Sequence, residues 1–187
     1  WSVHYHLNGT AIEDDVTELG FWLYPEGYVP EYEQRLHRWN LEGDLLIPPH
    51  ETVMTQGFHT FDHPIRIDSY QPHGHLRLRG ASIEVLYPET GQREVVSMVS
   101  NWSTWWAHSH IYEEDSAPLI PAGAVVILTH WYDNTENNPY NPAPDQWVYP
   151  GSRTNDEMSH DWLGVSHLSQ EQYEEILARR GRPVAER

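Results

Sequence analysis

Two histidines one residue apart, His73 and His75 in Pro72-His73-Gly74-His75-Leu76, form a candidate pair of metal ligands. On an extended strand successive side chains point to opposite faces, so residues two apart share a face and both imidazoles look the same way. Two ligands do not close a site. The soft donor to pair with them is Met158, in Thr154-Asn155-Asp156-Glu157-Met158. Two imidazoles plus a thioether favour copper, because thioether sulfur suits Cu(I) and imidazole suits both copper oxidation states. Core packing is the default role of a methionine. The pairing therefore requires a fold that brings Met158 beside the His-x-His stretch.

Other histidines are spaced for joint use. His4 and His6 share a face of the short alternating run Val3-His4-Tyr5-His6-Leu7, and His108 and His110 form a further pair, read here as surface or supporting residues. His130 and His160 are candidates for hydrogen bonding to ligands rather than ligating. Trp102, Trp105, Trp106, Trp131 and Trp147 could stack on a sugar or an aromatic substrate, although core and edge packing is the expected role. Asn8-Gly9-Thr10 and Asn101-Trp102-Ser103 match the glycosylation acceptor pattern, which recurs by chance. A zinc hydrolase ranks last, since neither an HExxH helix nor a His-plus-carboxylate spacing is evident.

The elements that must position these residues read as strands and turns. The 187 residues include 14 prolines, 12 glycines, 9 tryptophans and 11 tyrosines, a mix that suits strands and loops better than a helical bundle. A formal charge of -17 argues against nucleic-acid binding, which needs a basic surface. The absence of cysteine excludes disulfides and zinc-thiolate sites. No apolar run is long enough for a transmembrane segment. The chain opens at Trp1 with no leader to read, which suggests a processed or partial sequence.

Strands are expected at residues 3–7 and 19–24, the latter closed by Pro25-Glu26-Gly27, followed by a connector over 28–50. Residues 65–70 alternate. Residues 82–87 and 94–99 flank the turn Pro88-Glu89-Thr90-Gly91 as a hairpin. Residues 124–132 read as a buried central strand, and the long Asn- and Pro-rich stretch 133–153 as a functional loop or lid. A closing strand over 156–167 should carry Met158. Ser169 with Gln172 forms a capping box that starts a C-terminal helix. The expected class is an all-β, antiparallel β-sandwich with a short C-terminal helix.

Four motifs in order, Val3-His4-Tyr5, Ile47-Pro48-Pro49, His73-Gly74-His75, and Tyr132-Asp133-Asn134-Thr135-Glu136-Asn137 followed by Asp156-Glu157-Met158, resemble those of the copper type II, ascorbate-dependent monooxygenases. These are typified by peptidylglycine alpha-hydroxylating and dopamine beta-monooxygenases, and the likeness is closer to their bacterial relatives. The resemblance spans most of residues 1–165. It implies jelly-roll-like sandwich domains, with residues 1–45 as the end of a truncated first domain plus linker, 46–168 as the second domain, and 169–187 as helix and tail. It implies one copper at His73, His75 and Met158, where oxygen would be activated for C–H hydroxylation of a small-molecule substrate. It also implies that His4 belongs to an electron-supplying copper site whose other ligands lie upstream. Partners would be that upstream first domain or other subunits, in an extracytoplasmic (periplasmic or secreted) bacterial setting.

Three positions depart from the peptide-oxidising members. Gln71 stands where they have arginine, and His160 and Trp162 where they have asparagine and tyrosine. Loss of the arginine removes a bidentate anchor for a substrate carboxylate, so peptide amidation is not expected. The competing reading is a non-catalytic copper-binding β-sandwich, an accessory or interaction subunit of a larger extracytoplasmic, electron-transfer assembly.

Overall fold

The computed structural model describes Gly9, residues 16–40 and residues 45–181. The chain divides into two units, Trp1–Glu31 and Tyr32–Arg187. In the first, the described residues contain neither helix nor strand, so the strand expected at 19–24 is not formed. Those residues are largely exposed, and an extended segment needs a backbone partner to become a strand. The turn that follows does form. The Tyr28 N–H donates to Pro25 O at 3.1 Å, and Gly27 supplies the positive φ of 80° that such a turn needs at its third residue. His4 and the run around it lie outside the described residues.

The second unit holds nine strands and one helix among the described residues: β1 (Glu33–Asn40), β2 (Thr52–Thr60), β3 (Ile65–His73), β4 (Leu78–Tyr87), β5 (Gln92–Val99), β6 (His110–Ile111), β7 (Leu119–Ile120), β8 (Val125–Asp133), β9 (His160–His167) and α1 (Gln170–Arg179). One sheet has the order β1-β9-β3-β6, with β7 also on β3, and the other β2-β8-β4-β5, every pair antiparallel. The first four strands alternate between the sheets, and β9 returns to the first sheet between β1 and β3, as in a jelly roll. The chain is thus an all-β, jelly-roll-like sandwich with one short helix. None of the described helices is long and apolar enough to cross a membrane.

Side chains at every second position fill the space between the sheets. Ile65, Ile67, Tyr70, Leu163 and Val165 from the first sheet meet Ala81, Ile83, Val85, Val126 and Leu128 from the second. β8 is central in its sheet, as its apolar run predicts. β4 and β5 form the predicted hairpin, and α1 begins with both halves of the Ser169–Gln172 capping box. β3 carries one extra residue, Asp68, between Ile67 paired with Val165 and Ser69 paired with Gly164. Asp68 is held by Arg66 Nε (2.6 Å), Ser166 Oγ (2.6 Å) and Gln34 Nε2 (2.8 Å).

Two expectations are corrected here. The supposed connector over 28–50 contains β1, which pairs with β9 along its whole length, from Glu33 opposite His167 to Asn40 opposite His160. Only Trp39 in β1 is buried, and Glu33, Arg35 and Arg38 give it the charged look of an edge strand. The closing strand begins at His160, so Met158 lies in the loop before it.

Candidate metal centre

His73 is the last residue of β3 and pairs with His160, the first of β9. Their rings stack at 4.5 Å with an interplanar angle of 26°. One row along, Gln71 pairs with Trp162. Tyr70 and Leu163, one position inward of that row, point into the core and are fully buried. Gln71, His73, His160 and Trp162 therefore share the outer face of the first sheet. The three positions that depart from the peptide-oxidising pattern surround His73 on one surface.

His75 is not on the strand as expected. The chain leaves β3 after His73 and turns at Gly74, where a Cβ would lie 2.7 Å from Leu78 Cδ2 and 2.8 Å from Leu78 Cβ. No larger residue fits so close to a neighbouring Cβ. The turn leaves the His73 and His75 rings 5.7 Å apart and nearly perpendicular. His75 Nδ1 lies 3.0 Å from the Asp156 carbonyl, which can only accept, so Nδ1 carries the proton and Nε2 carries the lone pair. That tautomer leaves Nε2 available to a metal.

Glu157 joins the His75 turn to the Met158 loop. Its side chain is fully buried and accepts from the backbone N–H groups of His75, Arg77 (3.0 Å) and Met158 (2.9 Å). Burial pushes its carboxyl up, while the three donors oppose that shift. Met158 O in turn accepts from the Tyr132 hydroxyl at 2.7 Å. His130 connects that hydroxyl (3.0 Å) to Asp161 (2.8 Å), and both His130 and Asp161 are fully buried. The long loop is built of asparagines turned inward. Asn138 Nδ2 donates to Leu76 O at 3.0 Å and Asp133 O at 2.8 Å, and Asn134 Nδ2 to Pro48 O at 2.8 Å and Gln146 O at 3.0 Å. Trp102 braces the strand end through Nε1–H to Pro72 O at 3.1 Å.

His160 is driven down to about 3 by burial first, then by the neighbouring His73, Arg38, His130 and His75. His160 thus keeps a neutral ring against His73. Among the described residues no three histidine, aspartate or glutamate side chains form a group that could hold a metal. Met158 is half-buried in the loop before β9. His108 and His110, 6.5 Å apart between ring centres, are exposed. Of the tryptophans, Trp102 is buried, whereas Trp105 and Trp106 stand out from a short 3-10 turn at Thr104–Trp106.

A second histidine cluster has no sequence signature. His37 of β1, His167 at the end of β9 and His63 between β2 and β3 meet where the sandwich opens along its β1 edge. His37 Nε2 is 2.9 Å from His167 Nε2, His167 Nδ1 is 2.7 Å from His63 Nε2, and His63 Nδ1 is 2.6 Å from Asp62 Oδ1. Phe61 lies edge-on to all three rings. Burial lowers His37, helped by Arg35; burial also lowers His167, helped by His37, His63 and Arg35 against Glu33.

No family model and no curated protein matches the chain. Among solved structures it aligns with that of infectious bursal disease virus Gt strain, at 11% identity and TM-score 0.27, covering 78% of this chain and 37% of that one. A crystal structure of the infectious bursal disease virus VP2 subviral particle aligns at 12% identity and TM-score 0.31, covering 77% and 35%. Likenesses this weak do not bear on function.

Proposed function

We propose that the chain binds one copper ion through His73, His75 and Met158, and that it serves as the oxygen-activating domain of an extracytoplasmic monooxygenase-like protein. The observation that carries this reading is the Glu157 clamp. It ties the His75 turn and the Met158 loop to one buried carboxylate, while the Asp156 carbonyl fixes His75 with Nε2 unprotonated. Two neutral imidazoles and a thioether fit copper in both oxidation states. Copper held there would supply one-electron chemistry, and the family resemblance would add oxygen activation and C–H hydroxylation of a small molecule.

The residues of the chain have separable tasks. His75 is oriented by a main-chain acceptor, Glu157 and Asn138 hold the turn, and His160 packs a neutral ring on His73. Gln71 and Trp162 on the same outer face offer an amide and an indole where peptide-oxidising relatives use arginine and tyrosine. A substrate recognised there would be neutral rather than a free carboxylate.

Copper titration with electron paramagnetic resonance tests the reading. One Cu(II) with a type II signal is expected, lost in His75→Ala and with altered Cu(I) affinity in Met158→Ala. Stoichiometric zinc with no copper uptake at these residues would overturn it. A second reading, a non-catalytic copper-binding accessory domain, draws support from the His160 ring stacked on His73 where relatives have asparagine. Ascorbate-driven oxygen consumption by the copper-loaded full-length protein divides the two. Uptake at background excludes the enzyme and leaves the accessory role.

A further inference from the structure

The His37–His167–His63–Asp62 chain fixes its own protons. The Asp62 carboxylate only accepts, so His63 Nδ1 carries a proton and, in the neutral ring, Nε2 carries the lone pair. His63 Nε2 must then accept from His167 Nδ1–H, which leaves the lone pair of His167 on Nε2. That nitrogen faces His37 Nε2 across 2.9 Å. Two imidazole nitrogens bound side by side to one metal, at about 2.0–2.1 Å each, lie about 2.9 Å apart at a right angle and about 3.3 Å apart in a tetrahedron. The observed gap suits a cation in place of the proton.

We propose that His37 and His167 form a second transition-metal site, for a borderline divalent cation such as Zn(II), with His63 and Asp62 as its supporting chain. A metal-bound histidine that passes its other N–H to a carboxylate is the usual second layer of a metal centre, and here His63 relays that contact. Two protein nitrogens leave coordination positions open. A pocket of about 500 Å³ lined by His63 and His167, with Glu33, Arg35, Ser169 and Gln172, adjoins the cluster, so water or a small anion can approach His167. Glu33 stands directly opposite His167 on the paired strand, its carboxylate accepting from Arg35. The site owes nothing to the copper reading above, since it shares no residue with His73, His75 or Met158.

The test is a calorimetric Zn(II) titration of the full chain carrying His73→Ala and His75→Ala, which removes the first pair. One saturable equivalent is expected. Adding His167→Ala or His37→Ala should abolish it, and adding His63→Ala should weaken it by about 10–100-fold without changing the stoichiometry. No saturable binding in the double variant, or binding that survives His167→Ala, overturns the proposal. Circular dichroism checks each variant's fold. If His167→Ala fails to fold, His37→Gln on the edge strand and a Co(II) absorption spectrum of the double variant decide: ligand-field bands lost in His37→Gln support the site, and bands that persist sink it.

Discussion

His75, near the start of β9, owes its free nitrogen to a main-chain carbonyl; His167, at the end of β9, owes its own to another histidine. The two clusters are roughly 23 Å apart along the strand at the usual rise per residue. They also face opposite ways, one outward from the first sheet and the other into the mouth of the sandwich. The first is held by a buried carboxylate and inward asparagines, so its geometry depends on two loops keeping their shape. The second is held ring to ring across the β1–β9 pair and the β2–β3 connection, so it depends on sheet closure. Identical side chains thus acquire metal-ready lone pairs by two routes, one read from the backbone and one from a neighbour's proton.

Perturbations should separate the ends. The largest effect is expected from His130→Ala, which strands the Asp161 carboxylate in the core and should cost about 3–5 kcal/mol in urea unfolding. Loss of that size with zinc uptake at the His167 end retained would confirm that the ends are independent; a stability equal to the parent's would refute the buried pair. Glu157→Ala comes next, at about 2–3 kcal/mol, because it leaves three N–H donors without their acceptor. Copper affinity should fall with it, and a variant that binds copper as tightly as the parent would remove the clamp from the account.

Acid should act on both ends of the metal-free chain with the same sign. His160, His37 and His167 all titrate lower in the fold than free histidine. The unfolded chain therefore takes up protons first, and the stability these groups contribute is present above about 6.5 and lost as pH falls. For His160 the loss extends down to about 3. Denaturation midpoints measured at descending pH should decline less steeply in His160→Asn than in His167→Gln. The reverse order would mean that the second end is the more deeply desolvated. Smallest is Ser169→Ala, which removes the cap of α1 beside the pocket at the His167 end and should cost about 1 kcal/mol. Copper binding at the first end should not respond.

What was legible in the sequence follows the same division. β8, the β4–β5 hairpin and the capped helix announce themselves because burial, turn residues and capping residues are local in the chain. His73 and His75 were visible for the same reason. β1 was hidden because an edge strand with Glu33, Arg35 and Arg38 on it looks like a linker. His37, His63 and His167 are each isolated in sequence, so only three-dimensional closure makes them neighbours. The Asn-rich loop read as a functional loop or lid from its length alone; that Asn134 and Asn138 use their amides to hold the chain around Pro48 and Leu76 from within is visible only in the fold.

Asp68 decides which world His73 looks into. A strand shows alternate faces at each step, and Ile65 and Ile67 look into the core; counting on without interruption would aim residues 71 and 73 the same way. The extra residue shifts the count by one, so Tyr70 takes the inward place and His73 is delivered to the outside. Were Asp68 an ordinary ladder residue instead of an extra one, the same letters, His73 included, would be addressed to the hydrophobic interior. The location of the chemistry is thus written several residues upstream of it, in a position that binds nothing but its own sheet.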